Sequence, residues 1–391
     1  MSQPEPKYGD LFKEIYLKGM GGELPSIPLE AGALEAAAAE AMESRSAGYI
    51  AAAAGSETTM RFNREAFDRW RIVPRMLRDV SQRSHETKIL GTKMPAPVML
   101  APIGVQTLAH EDGETGAAAA AAAVGLPWIT STAADSTLED IAAANGDGER
   151  WFQLYWTNDD TITASMVRRA EAAGYKAIVV TVDTFIPGWK TRDLQQAWLP
   201  FINQVGVANF FSDPAFRTGL EKTPEEDPGM ATGHYIGSYV NPSLTWDRIN
   251  WLRDHTSLPI LIKGIQHPDD AREAISIGVD GIVVSNHGGR QVDGAVASLD
   301  ALPVVAAEVG GKIPILFDSG IRTGSDILKA LALGADAVLL GRPYIWGLAL
   351  EGQAGVEKVL RHTLADFDLA MALSGFNSPS ELTPEALIAA P

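Results

Sequence analysis

The chain contains no cysteine. That excludes disulfides, thiolate metal sites and cysteine nucleophiles, and no other metal-ligand set is read from the sequence. It also fits a cytoplasmic protein, which is the compartment expected here. Basic residues are few beside acidic ones: 32 Lys and Arg against 49 Asp and Glu give a formal net charge of −17. Such a chain repels phosphate backbones, so nucleic acid is not an expected partner. No apolar stretch is long and clean enough to span a bilayer, so no membrane partner is expected. The opening residues MSQPEPKYGDLFKEIY carry charges and prolines where a secretion signal needs an apolar run.

What the chain does have is length, apolar content and glycine. Its 391 residues, 46% hydrophobic with 37 glycines, suit one (β/α)₈ barrel with extensions and many tight loops. Residues 1–95 read as a helical extension, because LEAGALEAAAAEAMES (29–44) is rich in helix formers and the run that follows is helix-like until Gly55. Eight short apolar runs come next: PVMLAPIG, WITSTAA, WFQLYW, AIVVTVD, PILIKGI, GIVVSNHG, PILFDSGI and AVLLGRP. Most are almost uniformly apolar, as parallel strands covered on both faces are. Helical stretches that stop at glycine lie between them. Eight alternations favour a closed TIM barrel, over residues 96–345, rather than an open sheet.

One connection stands out. Between Asp183 and Pro259 the chain is far longer than in the other crossovers. Residues 186–250 therefore read as an insertion after strand 4 that acts as a lid or binding loop. Residues 346–391 read as closing helices.

Polar residues gather at the C-terminal ends of the apolar runs, where barrel enzymes keep their chemistry. In SNHGGRQ (285–291), His287 has the titration range of a general base. Arg290, three residues on, can grip a carboxylate with two parallel hydrogen bonds. The glycine-rich DSGIRTG (318–324) and GRP (341–343) form a phosphate cradle, with a helix N-terminus and two arginines supplying positive potential. Lys263 in LIKGI suits either a Schiff base or a counter-charge to a cofactor ring. Asp183 in TVDT suits either an orienting partner for the histidine or a structural ion pair.

Taken together, PIGV, STAA, FQLYW, TVDT, LIKGI, SNHGGRQ, DSGIRTG and GRP resemble the FMN-dependent 2-hydroxy acid oxidase and dehydrogenase family over nearly the whole chain. The most similar branch is that of the lactate 2-monooxygenases, through Gly104, the GIQHPDDAR stretch (264–272) and the long connection. The resemblance implies that residues 1–391 form one FMN hydroxy acid dehydrogenase domain. It implies FMN as cofactor and L-lactate or a similar small 2-hydroxy acid, with O2, as substrates. The expected products are acetate, CO2 and water. The alternatives are an oxidase that releases the 2-oxo acid and H2O2, and a dehydrogenase with another acceptor. A phosphate-binding barrel without redox chemistry has no use for His287, Arg290 and Lys263 together. The family also implies a homo-oligomer, a tetramer or octamer.

The same resemblance assigns roles. Pro102, Ile103 and Gly104 lie against the reactive edge of the flavin. Ser131, Gln153 and Thr181 bond its ring, with Lys263 at the pyrimidine end. Ser285 holds the ribityl chain. Asp318, Ser319, Gly320, Ile321, Arg322, Gly341 and Arg342 bind ribityl hydroxyls and phosphate. His287 is the base with Asp183 as partner, and Tyr49, Tyr155 and Arg290 hold the substrate. One position departs from the family. DTFIPGWKTRD puts Lys190 where a second carboxylate-binding arginine is usual, keeping the charge but losing the planar fork. Arg192, close by, has no counterpart in that pattern.

Overall fold

The computed structural model describes residues 7–390; the first six residues and Pro391, the outer ends of the expected extension and tail, lie outside them. Eight parallel strands close into a barrel. They are β1 (Val98–Leu100), β2 (Trp128–Ser131), β3 (Arg150–Leu154), β4 (Ile178–Thr181), β5 (Ile260–Ile265), β6 (Gly281–Val284), β7 (Ile315–Phe317) and β8 (Ala337–Leu340). Each arises from one of the eight apolar runs. Neighbours pair in chain order, and β8 pairs with β1 to complete the ring.

Alternation along the strands divides the core in two. Met99, Ile129, Trp151, Val179, Leu261, Val283, Leu316 and Leu339, one from each strand, turn inward as a single cluster. Their chain neighbours, such as Leu100, Phe152, Val180 and Ile262, face the surrounding helices. Period two in a closed sheet requires this division. Each such side chain contributes roughly 1.5–3 kcal/mol by leaving water.

The N-terminal end of the barrel is plugged. A hairpin of Thr87–Ile89 and Thr92–Met94 sends Ile89 and Met94 into the interior cluster. The Trp151 indole N–H donates to Thr92 Oγ1 at 2.9 Å.

Two regions differ from the sequence reading. The first 95 residues are not helical throughout. Helices Leu11–Met20, Ala31–Ala41, Ser44–Ala51 and Thr58–Asp68 give way to the strand Trp70–Ile72 and then the hairpin. That strand pairs antiparallel with Leu387–Ala389, so the C-terminal segment ends in a strand. The helix Arg342–Leu373 runs into a stretch where Pro379 and Pro384 bar further helix, and the free strand edge takes up the chain instead.

The long connection is largely helical and packed. Helices Pro214–Thr218 and Pro228–Tyr239 both begin at an Asp-Pro pair, where Asp213 and Asp227 cap the first free N–H groups. Tyr235 packs on Phe210 with ring centroids 4.7 Å apart. Asn209 ties the segment to the barrel, donating to the carbonyls of Ser131 and Thr132 and accepting from Leu138 N–H at 2.7 Å. Among the described residues, no helix is long and apolar enough to cross a membrane.

Candidate active site

The C-terminal ends of the strands surround a cleft of about 270 Å³. Most of the expected site residues line it, including Tyr49, Pro102, Ile103, Gly104, Ser131, Tyr155, His287 and Arg290. Lys190, Lys263, the Asp318–Arg322 loop, Gly341 and Arg342 line it as well. Asp183, Gln153, Thr181 and Ser285 stand one shell back; Asp183, Gln153 and Ser285 bond residues at the cleft, and Thr181 bonds Gln153.

His287 follows β6 in a left-handed backbone conformation, φ 57°, which is unfavourable for a residue with a Cβ. Surrounding hydroxyls hold it there: Ser285 Oγ accepts its N–H at 3.0 Å, and Ser319 Oγ accepts that of Gly288 at 2.9 Å. Gly289 is also left-handed, and a Cβ there would meet Met60 N at 2.6 Å. This backbone aims the imidazole at the cleft. Nδ1 lies 2.8 Å from Asp183 Oδ1 and 3.1 Å from Thr184 Oγ1, and Nε2 lies 3.5 Å from the Tyr155 hydroxyl. Burial pushes the imidazole below the usual histidine value; Asp183 opposes this and Lys263 reinforces it. Burial alone raises the Asp183 carboxyl, but His287 and Lys263 outweigh it, so the carboxylate stays ionised. A buried neutral imidazole held by a carboxylate on one nitrogen and facing a cleft with the other is equipped to accept a proton.

Part of the cleft is strongly cationic. Arg342 donates to the carbonyls of Ile50, Gly288 and Ala52. Burial, then Arg290 and Arg322, bring its pKa down to about 9. Arg322 lies over the Trp346 ring at 4.9 Å, and burial followed by Arg64 brings it down to about 10. Two buried guanidiniums bonded only to carbonyls call for an anion. The cradle departs from expectation in one respect. Asp326 and Asp366 take up the N–H groups of Arg322, Thr323 and Gly324, so the helix that starts there has little left for a phosphate. The helix starting at Arg342 has no side-chain cap and opens on the cleft instead.

A further set of groups at the cleft suits a flavin ring. Lys263 is buried, 3.0 Å from Ser285 Oγ and 3.3 Å from Asp318 Oδ2. Burial alone lowers its pKa, but Asp318 and Asp183 raise it further, so the ammonium persists. With two partners already bound and its charge fixed, it suits counter-charge over Schiff-base chemistry. Gln153 accepts from Ser131 Oγ at 3.2 Å and donates to Thr181 Oγ1 at 2.9 Å, fixing a row of polar groups across β2, β3 and β4. A Cβ at Gly104 would come 2.1 Å from the Ala133 carbonyl oxygen. Close packing of two loops therefore requires glycine here.

At the substrate end, Arg290 donates to the Tyr49 and Ala52 carbonyls at 3.0 and 2.6 Å and lies over the Tyr49 ring at 5.1 Å. Lys190 shares this space. Burial and then Arg290 bring its pKa down to about 8, against the pull of Asp193. Arg192 does not join them; its guanidinium pairs with Glu57 outside the cleft. Of the lid aromatics, Phe201 and Tyr239 line the cleft, Trp198 packs edge-on against Tyr49, and Trp189 is exposed.

Two residues at the site escape the sequence reading. Thr184 bonds both Asp183 and His287, and only its adjacency to Asp183 could have signalled it. Gln291 donates to the Asp183 carbonyl at 2.8 Å and accepts from Gly188 N–H at 3.0 Å, clasping the loop after β4.

Comparison with known proteins agrees with this geometry. A sequence model of FMN-dependent dehydrogenases matches residues 38–389. The chain is 43% identical over 388 residues to the FMN-dependent alpha-hydroxy acid dehydrogenase qulF of Penicillium citrinum, covering 98% of this chain and 96% of that protein. It is 44% identical over 375 residues to an L-lactate oxidase of Lysinibacillus sphaericus (strain C3-41), covering 96% of each. Its fold is similar to the crystal structure of a mandelate oxidase with (S)-4-hydroxymandelic acid. There the TM-score is 0.83 and the identity 38%, covering 93% of this chain and 99% of the other.

Proposed function

The chain belongs to the FMN-dependent dehydrogenase family, and on that footing we propose that it oxidises L-lactate, or a 2-hydroxy acid of similar size, with O2 and retains the 2-oxo acid long enough to decarboxylate it. Lactate and O2 then give acetate, CO2 and water, which balances in carbon, hydrogen and oxygen. FMN, held by residues such as Lys263, Arg322 and Arg342, would supply two-electron redox chemistry between the α-carbon and oxygen.

The protein's own groups do the rest. Arg290 and the Tyr49 hydroxyl grip the carboxylate and fix which face of the α-carbon meets the ring. Lys190 adds a second positive charge to that grip. His287 Nε2 accepts the proton that leaves the substrate, and Asp183 holds the tautomer and steadies the imidazolium. Lys263 keeps a positive charge at the ring edge where negative charge accumulates on reduction. Arg322 and Arg342 bind the phosphate. The packed insertion, with Phe201 and Tyr239 on the cleft, closes over the product.

The observation that carries the reading is His287 with its Nδ1 bonded to Asp183 at 2.8 Å and its Nε2 turned to the cleft. Release of the 2-oxo acid with H2O2 is the second reading, favoured by the identity to an L-lactate oxidase. Anaerobic reduction of the yellow enzyme by a panel of 2-hydroxy acids tests the common step. Acetate and peroxide measured on aerobic lactate separate the two readings. Stoichiometric free peroxide without acetate overturns retention, and a flavin that no 2-hydroxy acid reduces overturns both.

A further inference from the structure

Two carboxyl groups that do not touch the cleft hold three of its loops together. Glu114, fully buried, accepts the Gln106 N–H at 3.1 Å, next to Thr107. Asp135 in turn accepts from three donors. Thr107 N–H and Oγ1 reach Oδ2 at 3.1 and 2.7 Å, and Gly206 N–H reaches Oδ1 at 2.5 Å. Gln106 and Thr107 follow the loop Pro102–Val105, which lines the cleft. Gly206 belongs to the insertion and follows the turn that carries Leu199 and Phe201 to the same cleft.

The seam between these loops leaves no slack. The Val105 N–H donates to the Ala133 carbonyl at 3.0 Å. A Cβ at Gly206 would lie 2.5 Å from Val105 Cγ1 and 2.8 Å from Phe201 Cε1. Glu114 Oε2 and Gln106 Oε1, on two residues already bonded to each other, are both buried without a donor. Burial followed by the Asp135 charge lifts the Glu114 pKa to about 8.

We infer that Asp135, braced by Glu114, is a positioning residue that clamps the Leu199–Gly206 wall of the insertion onto the loop after β1, and so sets how long the 2-oxo acid stays bound. The inference rests on the proposed oxidation of a 2-hydroxy acid. It assigns retention to one contact, the bond from Gly206 N–H to Asp135. Asparagine at 135 keeps the size of the side chain but loses its charge and turns one acceptor into a donor facing an N–H group. Valine at 107 removes only the hydroxyl bond.

The test uses the FMN-loaded full chain, Asp135→Asn and Thr107→Val. Pyruvate is titrated against the flavin absorbance of the oxidised enzyme, and free peroxide per O2 consumed is measured on lactate. In Asp135→Asn the pyruvate dissociation constant should rise about tenfold and the peroxide yield should climb. FMN content and the anaerobic reduction rate at saturating lactate should stay within about twofold. Thr107→Val should shift pyruvate affinity in the same direction by less. Unchanged pyruvate affinity and peroxide yield in Asp135→Asn overturn the inference. So does a parallel loss of FMN, melting temperature and reduction rate, which marks a merely structural residue. If lactate reduces the wild-type flavin normally, either failure strikes this inference alone. If no 2-hydroxy acid does, the functional reading falls and takes the inference with it.

Discussion

The imidazole of His287 and the carboxylate of Asp183 meet at 2.8 Å, one from the loop after β6 and the other from the end of β4. Neither strand neighbours the other in the barrel; β5 and its Lys263 stand between them. The pair is thus built across a gap, with a fixed ammonium beneath it.

This arrangement sets an acid limb. Burial and Lys263 hold the imidazole below 6.5, the ordinary histidine value. The base is neutral above its own pKa, so kcat/KM should fall only at pH below the ordinary histidine range. Asp183→Asn removes the charge that raises the imidazole, and the limb should move to still lower pH. It also removes support for the imidazolium, so kcat should fall by about 10²- to 10⁴-fold. Stopped-flow flavin reduction across pH 4.5 to 8 reads both effects. A limb that moves upward contradicts the assignment.

Lys190 should impose a second, alkaline dependence. Its ammonium is present below about 8 and is lost above. Binding of the substrate carboxylate should therefore weaken as pH rises through that value, seen as a rising KM at nearly constant kcat. Lys190→Arg keeps its charge throughout, and its KM for lactate should be lower and flat to pH 9.5. Identical pH profiles for the two enzymes count against a carboxylate contact.

Arg342 is a buried cation waiting for an anion. Arg342→Met should raise the FMN dissociation constant by about one to two orders of magnitude, the value of one charge-assisted contact to phosphate. Riboflavin, which lacks the phosphate, should bind the two proteins about equally. Fluorescence titration of apoprotein with both ligands checks the difference.

Far from the cleft, Asp368 ties the N-terminal segment to the helix Arg342–Leu373. Its buried carboxylate accepts the Gly9 N–H at 2.7 Å, His85 Nε2 at 2.8 Å and the Arg83 guanidinium. Burial works against the ionised form, but His85 and Arg83 outweigh it, and the folded-state pKa is held well below the ordinary value of 3.8. A depressed carboxyl contributes stability that is complete above 3.8 and is lost as pH falls through the folded value. Asp368→Asn should cost about 3 kcal/mol at pH 7. The gap from wild type should narrow below pH 4. Urea unfolding at pH 7 and pH 3.5 measures both.

The barrel was legible because most strands are nearly unbroken apolar runs and most are followed by a helix that stops at or next to glycine. Met99, Ile129 and Val179 differ from their neighbours only in which face they take, and that alternation follows once the ring closes. The cleft-facing residues were legible because they sit at strand ends in contiguous motifs, SNHGGR above all. Where the reading fell short, the cause was distance along the chain. The strand Trp70–Ile72 exists only because Leu387–Ala389 arrives to pair with it. Glu114, Asp135 and Gly206 come together from three separate loops, and no local pattern announces them. Lys190 was visible as a departure, but that Arg192 turns to Glu57 depends on a helix from the N-terminal extension. The Asp-Pro pairs at 213 and 227 start helices inside the insertion, a stretch whose sequence reads as a lid or binding loop.

The hairpin that sends Ile89 and Met94 into the barrel floor closes that end, and the cleft lies at the other. On the proposed function, acid, oxygen and product use the rim of that cleft, and part of it is the insertion. Traffic therefore has an order. A bound 2-oxo acid stands in the doorway that the next acid needs, and the residues around the opening govern the sequence of arrivals and departures as surely as His287 governs the proton.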